Sequence, residues 1–341
     1  MRNLVTGSTG FIGSHLVEAL LLRGEQVQAL ARPTSNVHHL RELGAEVRVC
    51  TLEDQATLVA ASSGVDRIWH CAALVDDWGP PDAFVQANVE GVRNILAAAT
   101  RVKASHLIFL STSDIYGFPG QATLETEKPA PRGLPYVDTK IEGESLVWNH
   151  SKKVGLPVTI LRPGTVYGPR SRALVLPIVR ALLGRKGYLI DHGRHLAGLC
   201  YVGNLVDAML LAGDSAAAVG QAYNITDGSQ VTWAEFINAL ADAIQMPHPE
   251  RNYSHGQAYA MASLWESSFS LLGRNDRPRI TRLGVELMGT DQNFPIDKAR
   301  SQLSYRPRVA FADGIKATEA WLRQANLLDH ESQPWTNGTE K

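Results

Sequence analysis

The feature that most narrows the fold is the run Thr6-Gly7-Ser8-Thr9-Gly10-Phe11-Ile12-Gly13. It stands between an apolar segment at residues 4–6 and a stretch in which Val17, Leu20 and Leu21 follow with helical spacing. Glycines placed this way suit a chain that turns sharply, brings its backbone against a bound pyrophosphate and then opens a helix facing that charge. Gly13 would let the helix pack closely on the strand. A strand before the loop and an amphipathic helix after it are the context such a motif requires.

The same alternation continues. Short, apolar, partly β-branched segments at residues 4–6, 27–30, 47–50, 67–70, 107–110 and 158–161 are separated by longer stretches of helical spacing, such as Val85, Val89, Val92, Leu96 and Ala99. Apolar strands alternating with crossover helices predict an α/β fold with a doubly wound parallel sheet covered on both faces. After about residue 165 the rhythm loosens, which predicts a smaller, mostly helical C-terminal lobe. Trp233, Phe236, Ile237, Leu240 and Ile244 mark one of its helices, and Ile315, Thr318, Trp321 and Leu322 mark the last. Residues 258–272 read as a lobe helix covering a cleft, with Met261, Leu264, Trp265 and Leu272 on one side. On this reading residues 1–165 and about 195–225 bind a dinucleotide, about 166–194 and 226–328 form a substrate lobe, and 329–341 are a polar, disordered tail.

Composition excludes other classes. The net charge of −1 offers no basic field for nucleic acid or an anionic membrane. No apolar run approaches the ~20 residues of a membrane span. Cys50, Cys71 and Cys200 are widely spaced and odd in number, which fits reduced thiols of a cytoplasmic protein better than a disulfide framework. The strand that begins right after Met1 leaves no room for a signal peptide. His38-His39 and the pair His192 and His195 lack cysteines or carboxylates at metal-binding spacing, so no metal is expected. Asp76-Asp77, before Trp78-Gly79-Pro80-Pro81, reads as a solvated turn.

Chemistry enters with Tyr136-Val137-Asp138-Thr139-Lys140. On a helix Tyr136 and Lys140 share a face one turn apart. A tyrosine with a pKa near 10 is a poor proton shuttle at neutrality. A neighbouring ammonium favours the phenolate, so the pair could exchange a proton with a hydroxyl or carbonyl. The fifth apolar segment leads into Phe109-Leu110-Ser111-Thr112-Ser113-Asp114-Ile115-Tyr116-Gly117, which crowds hydroxyls at a strand end.

In order along about residues 1–325, the GxxGxxG loop, the Tyr136/Lys140 segment, Arg162-Pro163-Gly164-Thr165-Val166-Tyr167-Gly168-Pro169 and Tyr201-Val202-Gly203-Asn204-Leu205-Val206-Asp207-Ala208 resemble the extended branch of the short-chain dehydrogenase/reductase superfamily. The resemblance implies a Rossmann domain, a nicotinamide dinucleotide, a small-molecule substrate and a homodimer. By its register Thr112 is the catalytic hydroxyl beside Tyr136 and Lys140, with Ser113 the runner-up and Ser111 facing the nicotinamide. It further implies that Gly7, Thr9, Gly10, Phe11, Ile12 and Gly13 hold the pyrophosphate, and that Ala72 and Ala73 let the cofactor lie against the backbone. Pro163 and Val166 pass the nicotinamide, while Thr51 and Leu52 stand where the family usually has an Asp beside adenine. Asn88 resembles the asparagine that braces the active-site region. At the end of the second strand a carboxylate would grip the 2′-hydroxyl of NAD. Arg32 stands there instead, with a planar fork of donors suited to a phosphate. NADP(H) is therefore expected, with NAD(H) the alternative if Arg32 stacks on adenine or faces solvent.

Ala73-Leu74-Val75-Asp76-Asp77-Trp78-Gly79, the segment at residues 220–228 and Pro278-Arg279-Ile280-Thr281-Arg282 are similar to 3-beta-hydroxysteroid dehydrogenase-like proteins. Dehydratases of the superfamily carry an acidic pair after the catalytic Thr, whereas Ser113-Asp114 supplies one carboxylate. The expectation is hydride transfer between NADP(H) and a secondary alcohol or ketone of a fairly apolar, steroid-like or β-keto molecule. Two alternatives stay open: a nucleotide-sugar epimerase or dehydratase with tightly bound NAD, and a non-catalytic cofactor sensor.

Overall fold

A computed structural model describes residues 1–274 and 276–328; the predicted polar tail lies outside them. The strands are β1 (Arg2–Thr6), β2 (Gln26–Ala31), β3 (Glu46–Val49), β4 (Arg67–His70), β5 (His106–Leu110), β6 (Val158–Pro163), β7 (Thr165–Tyr167), β8 (Tyr188–Ile190), β9 (Leu199–Tyr201), β10 (Gln221–Ile225) and β11 (Arg251–Tyr253). Seven of them form one sheet in the order β10-β6-β5-β4-β1-β2-β3, parallel throughout. The doubly wound sheet is thus present, and β10 extends it beyond the six strands legible from apolar runs.

Neighbouring residues on each strand point to opposite faces, and both faces are apolar. Leu4, Ile68, Leu107, Phe109 and Ile160 pack on one side with Val92, Ile95 and Leu96 of the helix Gly91–Arg101. Val5, Trp69, Ile108 and Leu161 pack on the other with Leu16, Val17 and Leu20 of the helix Phe11–Leu22 and Met209 of the helix Val202–Asp214. The chain winds outward from β1 to β3, then crosses over to β4 on the other flank of β1. Connections therefore diverge at the carboxyl ends of β1 and β4, opening a crevice where such sheets bind their ligands.

A third core gathers around Tyr167 from the helices Val175–Leu183, Trp233–Ala243 and Phe311–Gln324. Two short strand pairs, β7 with β9 and β8 with β11, connect this region to the crevice. Among the described residues no helix is long and apolar enough to cross a membrane. Cys50, Cys71 and Cys200 are all free thiols.

Candidate active site

The crevice begins at Thr6, whose Oγ1 lies 2.9 Å from His70 Nδ1 and accepts a hydrogen bond from the Ala72 amide at 3.2 Å. These contacts fasten the ends of β1 and β4 together. Gly7 then turns with φ +67°, and a Cβ there would lie 2.7 Å from the Ala72 nitrogen. A Cβ on Gly13 would lie 2.1 Å from the Gly7 carbonyl oxygen. The two glycines are steric requirements of a loop folded tightly against its own helix. Ser8 Oγ donates to the Leu30 carbonyl at 2.7 Å, tying the loop to β2. The helix starts at Gly10 with no side-chain cap, so its first amides face the crevice without a side-chain partner.

The opposite wall is the helix Pro135–Val154, with proline at its first position, where a missing N–H costs nothing. Tyr136 and Lys140 lie on its buried face. Lys140 Nζ donates to the Leu110 carbonyl at 2.7 Å and sits 4.8 Å from the centre of the Phe109 ring. Thr112 Oγ1 accepts from the Asp114 amide at 3.2 Å, and the Thr112 hydroxyl sits beside Tyr136 and Asp114 at the cleft. Ser111 Oγ is buried without a hydrogen-bond partner among the described residues. Asn88, in a π-helical turn at Gln86–Glu90, accepts from the Leu74 amide at 2.8 Å. Its Nδ2 donates to the Leu74 carbonyl at 3.1 Å and to Thr139 Oγ1 at 3.1 Å. That amide ties the loop after β4 to the helix Pro135–Val154. Gly143 keeps the approach close, since a Cβ there would meet the Asn88 carbonyl at 2.6 Å.

Burial dominates the electrostatics. It lowers Lys140 to about 8 against the opposing pull of Glu144. Tyr136 is pushed well above the ordinary phenol range, first by burial and then by the charge of Asp114, with the Thr112 hydroxyl opposing. This corrects the expectation that Lys140 brings Tyr136 down. The ammonium is engaged by the Leu110 carbonyl, and the phenol is desolvated. Asp114, which sequence reasoning had not placed in the site, is raised to about 6 by burial.

A carboxyl raised in this way destabilises the fold once it ionises. The effect is absent below the ordinary aspartate range, grows as pH rises toward 6 and is complete above it, at roughly 3 kcal/mol. Asp114→Asn should therefore melt a few degrees above the parent at pH 7.5, and the gap should vanish near pH 4. Equal melting temperatures at pH 7.5 would count against the buried charge.

One cleft of about 3140 Å³ brings these residues together. That volume exceeds the ~300–1,000 Å³ of a single small-ligand pocket, leaving room for a dinucleotide and a second molecule. All the sequence-predicted site residues line it, with the exception of Thr51; at that edge the wall is Cys50, Leu52 and Glu53. Arg32 is exposed at the rim and makes no ion pair or side-chain hydrogen bond to the described residues. The glycine cradle, the alanines at 72 and 73 and the unpartnered Ser111 hydroxyl fit a dinucleotide lying from Arg32 toward Tyr136. Met261, Trp265, Phe269, Leu283 and Met288 are apolar residues of the lobe that line the same cleft.

Asp77 is not a solvated turn residue. It forms a bidentate pair with Arg277 and accepts from Thr281 Oγ1 at 2.7 Å, with its side chain 14% exposed. The pair joins positions two hundred residues apart, for which no local pattern gives a sign. His195 lies between Asp191 at 3.4 Å and Asp291 at 3.3 Å. Among the described residues no group of three or more potential metal ligands occurs.

Comparison with known proteins agrees with this geometry. The model of the NAD dependent epimerase/dehydratase family matches residues 3–226. A 4-hydroxy-2-methyl-3-oxo-4-farnesyl-3,4-dihydroquinoline-1-oxide ketoreductase of Stigmatella aurantiaca is 31% identical over 340 residues, covering 98% of this chain and 99% of the relative. A 2-alkyl-3-oxoalkanoate reductase of Stenotrophomonas maltophilia is 30% identical, covering 94% and 99%. Among solved structures, the UDP-glucuronic acid 4-epimerase of Bacillus cereus in complex with UDP-glucuronic acid and NAD superposes with a TM-score of 0.76 at 25% identity, covering 95% and 100%. A glycine-cradled crevice, a Tyr–Lys helix and full-length relatives of this kind lead to one conclusion: the chain belongs to the NAD-dependent epimerase/dehydratase family and is an NAD(P)-dependent enzyme of the extended short-chain dehydrogenase/reductase type.

Proposed function

We propose that this protein reduces the carbonyl of a fairly apolar ketone, or oxidises the matching secondary alcohol, with NADP(H). The observation that carries the reading is that Tyr136, Thr112 and Lys140 line one cleft with a group of apolar lobe side chains. The apolar group Met261, Trp265, Phe269, Leu283 and Met288 suits an apolar substrate, although Arg251, Arg274 and Arg279 line the same cleft. The names of the Stigmatella and Stenotrophomonas relatives both set an oxo group beside an apolar substituent, farnesyl in one and alkyl in the other.

A nicotinamide dinucleotide held in the cleft would provide the hydride chemistry. Tyr136 gives the carbonyl oxygen its proton, and the neutral phenol that burial enforces is the form a donor requires. Thr112 Oγ1 orients that oxygen. Lys140 holds the ribose side of the cofactor and stands by as a cation on the proton's route. Arg32 would pair with a 2′-phosphate, for which its free guanidinium is suited.

Purified protein titrated with NADPH and NADH, then assayed for oxidation against ketones, steroids and nucleotide sugars, tests the reading. Preference for NADPH with ketone-dependent oxidation is expected. Arg32→Ala should weaken NADPH binding about tenfold or more, the value of one charged hydrogen bond, and leave NADH binding nearly unchanged. Tightly bound NAD with no net oxidation would overturn the proposal in favour of an epimerase.

A further inference from the structure

We propose that the buried pair Arg162–Glu144 positions Lys140, with Arg162 occupying both Glu144 oxygens so that the carboxylate acts on the lysine through its charge and not by contact. The inference rests on the role given to Lys140 above.

Lys140 and Glu144 lie one turn apart on the helix Pro135–Val154, a spacing at which an ammonium and a carboxylate can meet. Both are buried, at 3% exposure each, where an unpaired charge is costly. Direct pairing between them would be the expected outcome, yet each has a different partner. Lys140 Nζ goes to the Leu110 carbonyl. Glu144 Oε1 lies 2.5 Å from Arg162 Nη2, and its Oε2 lies 3.2 Å from Arg162 Nε.

Arg162 is itself held from several sides. Its Nη1 donates to Tyr116 Oη at 2.8 Å and to the Glu125 carbonyl at 3.1 Å. The guanidinium lies 5.2 Å from the centre of the Tyr116 ring, and Tyr116 Oη donates to Asn224 Oδ1 at 2.7 Å. A planar fork fixed in this way matches a carboxylate through two parallel bonds, which a lysine cannot do. The lysine is left to the Leu110 carbonyl, on the side of the helix where Tyr136 faces the cleft.

The other charged or titratable groups around Lys140 are Asp114 after β5, His70 and Cys71 at the end of β4, and Tyr136 on its own helix. Burial holds His70 neutral and pushes the Cys71 thiol up to about 12. Glu144 and Asp114 are thus the anions that oppose the desolvation of Lys140, with Glu144 the stronger.

The test is the titration of Lys140 followed by NMR in cofactor-free protein labelled at the lysine ε-carbons, its signal assigned by loss in Lys140→Arg. Glu144→Gln should lower the Lys140 midpoint by about one unit, a tenfold rise in the neutral fraction. Arg162→Met should free Glu144 to capture the ammonium. The midpoint should then rise by a similar amount, and NADPH binding should weaken about tenfold. Glu144→Met combined with Arg162→Met replaces the pair by apolar side chains, an exchange that folds often tolerate. It should lower the midpoint as Glu144→Gln does, and it decides the matter if Arg162→Met fails to fold. A Lys140 midpoint unmoved by Glu144→Gln or by the double substitution overturns the proposal, as does a folded Arg162→Met with unchanged midpoint and NADPH affinity. Retained turnover in Tyr136→Phe would instead overturn the catalytic reading while leaving these midpoints interpretable.

Discussion

Tyr136→Phe should lose turnover by about 10²–10⁴-fold, the range general acid catalysis supplies, while binding NADPH within twofold of the parent. The substitution removes one oxygen and preserves the ring that packs with Phe84, Val137 and Leu283, so the fold has little reason to change. Thr112 keeps its hydrogen bond to Asp114 and can still orient a carbonyl oxygen, but no acidic proton remains beside that oxygen. Single-turnover reduction of a ketone that the panel has identified, measured beside a fluorescence titration with NADPH, separates the two effects. Turnover within tenfold of the parent would remove Tyr136 from the proton-donor role.

Gly13→Ala should abolish cofactor binding at any practical concentration, a loss of at least about a hundredfold. The added Cβ would stand 2.1 Å from the Gly7 oxygen and 2.7 Å from the Gly7 carbonyl carbon, both backbone atoms that cannot rotate away. Relief requires the loop and the helix Phe11–Leu22 to separate, so the amides that would face the pyrophosphate shift together. Overpacking of this kind costs about 1–3 kcal/mol of stability as well. Isothermal titration with NADPH and a thermal melt would register both. Wild-type affinity in the folded variant would mean that the loop does not carry the dinucleotide.

The glycine loop, the six apolar strands and the Tyr136–Lys140 turn were legible in the sequence because each is written in neighbouring residues. Strand β10 was harder to see, since it pairs with β6 through a segment that carries Asn224, and that side-chain amide bonds Tyr116 and Thr123, about a hundred residues away. Separation along the chain also hides the pairing of Asp77 with Arg277, 200 residues apart, and of Glu144 with Arg162, 18 residues apart on another element. A short sequence window shows a carboxylate and a turn, and cannot show the guanidinium that arrives from another element. The direction in which Tyr136 shifts was missed for a different reason. Spacing announces the nearby ammonium, but desolvation depends on everything packed around the ring. Asp114 was read only as half of a missing acidic pair; its importance lies in its burial beside Thr112, which no residue count conveys.

The bridge from Asp77 to Arg277 and Thr281 acts as a tie between two stretches of chain that line the cleft. It joins the loop after β4 to the segment before the helix Arg282–Gly289. Widening the cleft at that point would separate a partly buried bidentate pair, leaving each charge to be rehydrated or stranded.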